Sequence, residues 1–172
     1  MNYKAIAIGI VIFLVGLVAS ITMPFYYPNY QEVNSVYASH LSYVVIPAGA
    51  EKIVSNFTTN STYNAVIAFI QSGTGNITIF NISSADLKQI TTQSSLVSAE
   101  LTPGKYAIAI VNPQGIAQNI SYTYGVFNAN FLNSFYSGLG ILSTITEILT
   151  LGGIAITIIA VIYEIINRKR KK

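Results

Sequence analysis

The stretch Leu139–Lys172, LGILSTITEILTLGGIAITIIAVIYEIINRKRKK, decides how the rest of the chain is read. Ahead of its closing basic residues, the small and polar side chains recur in steps of three and four: Ser143, Thr146, Thr150, Gly153, Thr157, Ala160 and Glu164. That spacing places them on one face of a helix. The other faces carry Ile141, Leu142, Ile145, Ile148, Leu149, Leu151, Ile154, Ile158, Ile159 and Ile162. In water the apolar face of a helix is buried. In lipid the small face is buried, because small side chains let two backbones approach closely. The stretch predicts a membrane anchor whose contact seam is Ser143, Thr146, Thr150, Gly153, Thr157 and Ala160.

Composition agrees with a membrane setting. Only 9% of the 172 residues are charged, against about 25% in an average soluble protein. With no cysteine, a disulfide framework and a thiolate metal site are both excluded. Five of the nine basic residues form the terminal run Arg168, Lys169, Arg170, Lys171 and Lys172. Without that run the chain is slightly acidic, so its positive charge is no sign of a nucleic-acid partner. A basic tail next to an apolar span orients that span, and it attracts anionic lipid.

At the other end, Ala5–Met23 is nineteen residues without a charge, followed by Pro24. At helical rise it spans about 28 Å, close to the hydrocarbon core of a bilayer. The run is longer than the apolar region of a cleaved signal peptide, so a retained span is expected. The aromatic group Pro24-Phe-Tyr-Tyr-Pro-Asn-Tyr30 suits a membrane–water interface and predicts an extended exit from the helix. Lys4 precedes the first span and the basic tail follows the second. Both termini are therefore expected on the cytoplasmic side of the plasma membrane, with the middle of the chain outside. The expected division is a cytoplasmic N-terminus at 1–4, a first span at 5–23 and an extracellular domain with linkers at 24–138. A stalk and second span follow at 139–166, and a cytoplasmic tail at 167–172. Glu147 is expected near the outer headgroups, and Glu164 one turn before Arg168 in the favourable i,i+4 order.

Between the spans the pattern changes to period two from about Glu32 to Phe127. Leu41, Tyr43 and Val45 alternate with His40, Ser42 and Val44, which makes His40 a strand residue on the polar side of Leu41, and Ile53, Ser55 and Phe57 suggest a second strand. Asn64–Gln71 reads as a fully buried strand, leading through Ser72-Gly-Thr-Gly75 into Asn76–Ile82 as a hairpin. Ser84–Ile90 resembles a short helix with Ser83 or Ser84 as its N-cap. Leu96–Leu101, Lys105–Val111 with Tyr106, Ile108 and Ile110 on one face, a turn at Asn112-Pro-Gln-Gly115, and Asn119–Phe127 with Ile120, Tyr122, Tyr124 and Val126 on one face complete a mainly β domain. About seven short strands with turns every 8–12 residues predict an antiparallel β-sandwich or jelly roll flanked by two transmembrane α-helices.

The segment Leu101-Thr-Pro-Gly-Lys-Tyr-Ala-Ile-Ala-Ile-Val-Asn112, followed by Ile120-x-Tyr122-x-Tyr124-x-Val126, resembles the closing hairpin of small jelly-roll modules. The pre-peptidase C-terminal domain and the Golgi-dynamics (p24-type) domain carry a similar Leu-x-Pro-Gly-x-Tyr turn. The resemblance implies an accessory or recognition module. The Ile-, Tyr- and Asn-rich, cysteine-free composition is similar to that of surface proteins of thermoacidophilic archaea.

Five Asn-x-Ser/Thr tripeptides, at Asn56, Asn60, Asn76, Asn81 and Asn119, all lie in the segment expected outside. Covalent N-glycans are expected on several of them. His40 is the sole histidine and Asp86 the sole aspartate, and no Gly-x-Ser-x-Gly elbow accompanies them. No catalytic, cofactor-binding or metal-ligating residue is assigned and no cofactor is expected. The sequence therefore predicts a non-catalytic two-span envelope protein, an accessory or structural subunit. Its expected partners are membrane lipid and other membrane or envelope proteins, or further copies of itself. A membrane-anchored module recognising glycan or peptide is the alternative.

Overall fold

The computed structural model describes residues 3–82 and 87–170. The chain divides into two compact units, one of Met1–Tyr30 with Phe135–Lys172 and one of Gln31–Ser134. Elements run α1 (Tyr3–Tyr26), α2 (Tyr30–Ser39), β1 (Ser42–Ile46), β2 (Glu51–Thr59), β3 (Ala65–Ser72), β4 (Asn76–Ile82), β5 (Leu87–Ser94), β6 (Leu96–Glu100), β7 (Gly104–Val111), β8 (Gln118–Phe127) and α3 (Ala129–Arg170). Among the described residues two helices, α1 and α3, are long and apolar enough to cross a membrane by length and composition.

The second unit holds two four-stranded antiparallel sheets, β1-β8-β3-β6 and β2-β7-β4-β5. Strand 1 pairs with 8, 2 with 7, 3 with 6 and 4 with 5. This nested pairing is the wiring of a jelly roll. Among the described residues there are eight strands where about seven were expected. The additional one is β5, which includes Leu87–Ile90, where the sequence suggested a helix. Ser83, Ser84, Ala85 and Asp86, the rest of that expected helix and its cap, lie outside the described residues. Thr91 and Thr92, β-branched and following directly, favour the extended backbone. The pairing of Leu87–Ser94 with β4 supplies the hydrogen bonds that a helix would have made internally.

Neighbouring strands in sequence mostly do not pair. β3 belongs to one sheet and β4 to the other, so Ser72–Gly75 is a crossover between sheets and not a hairpin. Gly75 sits where a Cβ would come within 2.9 Å of Ile110 Cγ2 and 3.0 Å of the Val111 carbonyl. β7 and β8 are likewise in different sheets, so the segment that resembled a closing hairpin is also a crossover.

The core lies between the sheets. Ile46, Val66, Val97, Ile120 and Tyr122 from one sheet meet Ile77, Ile79, Tyr106, Ile108 and Ile110 from the other. The side chains expected on one face of β7 and of β8, Tyr106, Ile108 and Ile110 and Ile120, Tyr122 and Tyr124, are core residues, while the residues between them are buried as well. In β1 the alternation is present with Val44 and Ile46 turned inward, while Tyr43 and Val45 are exposed. In β2 the ladder to β7 shifts register between Ile53 and Ser55, with Val54 as the extra residue. The bulge reverses the phase, leaving Ile53 exposed and Phe57 buried. The hydroxyl of Tyr122 donates to the Val54 carbonyl at 2.7 Å, which ties one sheet to the bulge of the other.

The outer face of the β1 sheet is covered as well, and this accounts for the apolar run in β3. Helix α2 was not expected, because period two was read from Glu32 onward. Val33, Val36 and Tyr37 recur at the i, i+3, i+4 spacing of a helix, and Val33 and Tyr37 are buried. The Tyr37 ring packs edge-on at 5.2 Å from Phe69 and 5.5 Å from Phe127. A Cβ on Gly125 would come within 3.1 Å of Tyr37 Cε1. The Thr123 hydroxyl donates to the Tyr37 carbonyl.

Two more boundaries differ from expectation. α1 continues through Pro24 to Tyr26, since a proline so near the end removes a single intrahelical bond and the helix stops two residues later. α3 begins at Ala129, ten residues before Leu139. Asn128 is its N-cap, accepting the Phe131 amide on Oδ1 at 3.0 Å. Asn64 Oδ1 accepts the Ala129 amide at 3.0 Å, which holds that helix start against the beginning of β3.

Candidate functional site

In the helical unit α1 and α3 pack antiparallel along the small-residue seam. Gly9 faces Thr157, Phe13 faces Gly153 and Gly16 faces Thr150. Four residues along α1 thus match four back along α3, and the next three match three. Backbones meet directly here. A Cβ on Gly16 would lie 2.6 Å from the Thr150 amide nitrogen, and one on Gly153 would collide with the Phe13 backbone. Any side chain at these glycines would force the helices apart.

The threonines on the seam keep their hydroxyls occupied within the helix. Thr146 donates to Ser143 O at 2.9 Å, Thr150 to Thr146 O at 2.7 Å and Thr157 to Gly153 O at 2.8 Å. Each thereby presents a methyl group and a satisfied oxygen to the partner helix. Thr146 and Gly153 are buried, and Thr150, Thr157 and Ala160 half-buried. Ser143 is exposed, and Leu142 is the half-buried residue of that turn. The displacement follows from geometry. A strict three–four repeat averages 3.5 residues per turn against 3.6 for a straight helix, so the seam drifts about 20° per heptad. Ser143 lies three heptads from Glu164, enough to carry it off the contact. On α1, Gly9 and Gly16 belong to the seam, Ala5 is half-buried and Ser20 is exposed.

At one end of this unit Tyr27 Oη donates to the Phe135 carbonyl at 2.6 Å, with the two rings edge-on at 5.3 Å. At the other, Glu164 pairs with Arg168 at 3.5 Å in the expected i,i+4 order. Arg168, Lys169 and Arg170 are exposed in the last turn of α3; Lys171 and Lys172 lie outside the described residues. Glu147 is exposed.

The glycosylation candidates are all in the β unit. Asn56, Asn60 and Asn119 are exposed, while Asn76 and Asn81 are half-buried. Asn60 accepts the Thr62 and Tyr63 amides through Oδ1, so its nitrogen is not the atom engaged in that turn. The hydroxyl partners differ more than the asparagines do. Thr58 and Thr62 are exposed, whereas Thr78 is buried against Thr92 and Ser121 against Ser72.

His40 is not the strand residue expected from the sequence. It follows the last turn of α2, with Nδ1 at 2.9 Å from the Val36 carbonyl and its ring 4.3 Å from that of Tyr124. Asp86 lies outside the described residues. Among the described residues no group of three or more His, Asp or Glu side chains is placed to hold a metal ion. Sequence reading passed over one buried polar centre. Asn112, taken for a turn residue, is fully buried and donates through Nδ2 to the carbonyls of Ile46, Pro47 and Ile116, at 3.1, 3.1 and 2.8 Å. Its Oδ1 accepts from the Gln114 amide at 3.0 Å and Gln118 Nε2 at 3.2 Å. The Asn-Pro pair signalled a turn and gave no sign that the side chain turns inward to join the β1–β2 and β7–β8 loops.

No family model and no curated protein matches the chain. Among solved structures, the mitogen of Yersinia pseudotuberculosis is similar over 50% of this chain and 83% of its own, at 15% identity and a TM-score of 0.39. A cupin domain from Schizosaccharomyces pombe is similar over 55% of each chain, at 21% identity and a TM-score of 0.25. A Photorhabdus luminescens protein is similar over 58% of this chain and 71% of its own, at 10% identity and a TM-score of 0.25. These likenesses are too distant to bear on what the chain does.

Proposed function

We propose that this chain is a two-span membrane protein of the cell envelope, with both termini cytoplasmic and the jelly roll outside. It serves as a non-catalytic accessory or structural subunit that works through protein contacts. One observation carries the reading. The helical unit is inverted relative to a water-soluble pair, with glycine and threonine inside and aliphatic side chains outside. Thr146 is 3% exposed, while Ile21 is 66%, Ile148 64% and Ile159 66% exposed. In water such a continuous apolar surface drives association, and in lipid it is the ordinary solvent-facing surface. The basic tail and Lys4 give the orientation.

Because the chain has no cysteine, single introduced thiols report sidedness without background. Tyr43→Cys should react with a membrane-impermeant maleimide on intact cells, and Lys4→Cys only after lysis. Equal reaction of both on intact cells would refute the topology. Purification in mild detergent should then yield a stoichiometric protein partner, and a monomer without one would count against the subunit role. A second reading, a glycan- or peptide-recognition module, draws on Tyr43, which is 70% exposed on the edge strand β1. A monomer that binds an immobilised glycan through Tyr43 would favour it over the subunit role. Tyr106, Tyr122 and Tyr124 are core residues and offer no stacking surface.

A further inference from the structure

Beside the seam, Ile10 and Phe13 of α1 and Ile154, Thr157 and Ile158 of α3 line an open groove of about 150 Å³. It exists because Gly9 and Gly153 draw the backbones together while their larger neighbours stand on either side. The lining offers a polar ligand nothing, since the one hydroxyl, on Thr157, already donates to Gly153 O. Water does not settle in an apolar site of this kind, and an empty groove forfeits dispersion contacts along its walls.

We propose that the groove holds one acyl chain of an anionic membrane lipid whose headgroup is bound by Lys169. The proposal rests on the membrane reading above, and charge complementarity selects the lipid. Lys169 follows Ile158 by eleven residues, about three helical turns, so it stands on nearly the same face and about 16 Å further along. That rise is close to half the hydrocarbon thickness, the reach of one acyl chain from its tail end to its own headgroup region. Lys169 is exposed, while the neighbouring Arg168 is engaged with Glu164.

The test is native mass spectrometry of the full chain from nanodiscs of zwitterionic phosphatidylcholine with one-fifth phosphatidylglycerol. One phosphatidylglycerol should be retained per chain, in preference to the more abundant phosphatidylcholine. Lys169→Gln, at an exposed position, should lower that retention about fivefold, the effect of one basic residue near an anionic surface. Ile158→Trp, which fills the groove, should abolish it while leaving the helix content unchanged. Retention that ignores headgroup charge, or that survives Ile158→Trp, would overturn the proposal, as would a bound polypeptide in place of lipid. The cysteine labelling above separates the two failures. A chain with the proposed sidedness that keeps no lipid refutes the lipid site alone, and a chain that does not insert refutes both.

Discussion

Gly9 of α1 lies so close to Thr157 of α3 that a Cβ at position 9 would come within 2.8 Å of the Thr157 backbone nitrogen. The obstacle is main chain, which cannot rotate away as the tip of a side chain can. Gly9→Leu and Gly153→Leu should each separate the helices, at a cost of about 1–3 kcal/mol or more, as for overpacking in a dense core. Gly152→Leu is the control, since nothing lies within 4 Å of its added Cβ. Thermal unfolding of the detergent-solubilised chain should show the first two lowered and the third unchanged. Equal effects at positions 152 and 153 would mean that the seam is not the contact.

Asn112 should be the most sensitive polar position in the jelly roll. Asn112→Ala leaves the carbonyls of Ile46, Pro47 and Ile116 without the donor they share. The bond to Ile46 is buried and those to Pro47 and Ile116 are part-buried, so a loss of about 1–3 kcal/mol, the cost of one buried group left unpaired, is expected in denaturant titration. Asn112→Asp should be no better, because an ionised carboxylate accepts hydrogen bonds and donates none.

Tyr122 and Tyr37 separate a hydrogen bond from packing. Tyr122→Phe keeps the ring and removes the 2.7 Å bond to the Val54 carbonyl, for a loss of about 1 kcal/mol. Tyr37→Ala removes the ring set against Phe69 and Phe127, and should cost about 3–5 kcal/mol. Denaturant midpoints in that order, with little change in slope, are the expected result.

Glycan occupancy should follow exposure of both the asparagine and the hydroxyl residue. Asn56 with Thr58, and Asn60 with Thr62, satisfy both conditions, whereas Asn76 precedes the buried Thr78. In protein from the native host, Asn56→Gln and Asn60→Gln should each remove one glycan mass, and Asn76→Gln should remove none. Full occupancy at Asn76 alone would contradict this order.

Capping and spacing signals were present where elements were missed. Val33, Val36 and Tyr37 carry a helical period that the surrounding alternation obscured. Asn128, one residue after the last strand, is an ordinary N-cap for a helix that was expected only from Leu139. The exposed Tyr43 and Val45 were not legible, because alternation identifies two faces and does not say which is covered. The bulge at Val54 was equally hidden, since one inserted residue reverses the phase of β2 without changing its composition.

By itself the sequence determined two apolar helices, a run of small residues at helical spacing from Ser143 to Ala160 on the second, and a domain of alternating strands between them. These features are local, set by the helical and strand periods of the chain. Which strands pair was decided only in the tertiary structure. Both sheets bury one face in the same core, so a strand has the same alternation in either sheet, and a turn between two strands reads alike as hairpin or crossover. Tertiary structure also decided that Gly9 and Gly16 answer Thr157 and Thr150. The contact depends on the register between segments more than a hundred residues apart, and only the backbone approach at Gly9, Gly16 and Gly153 selects it.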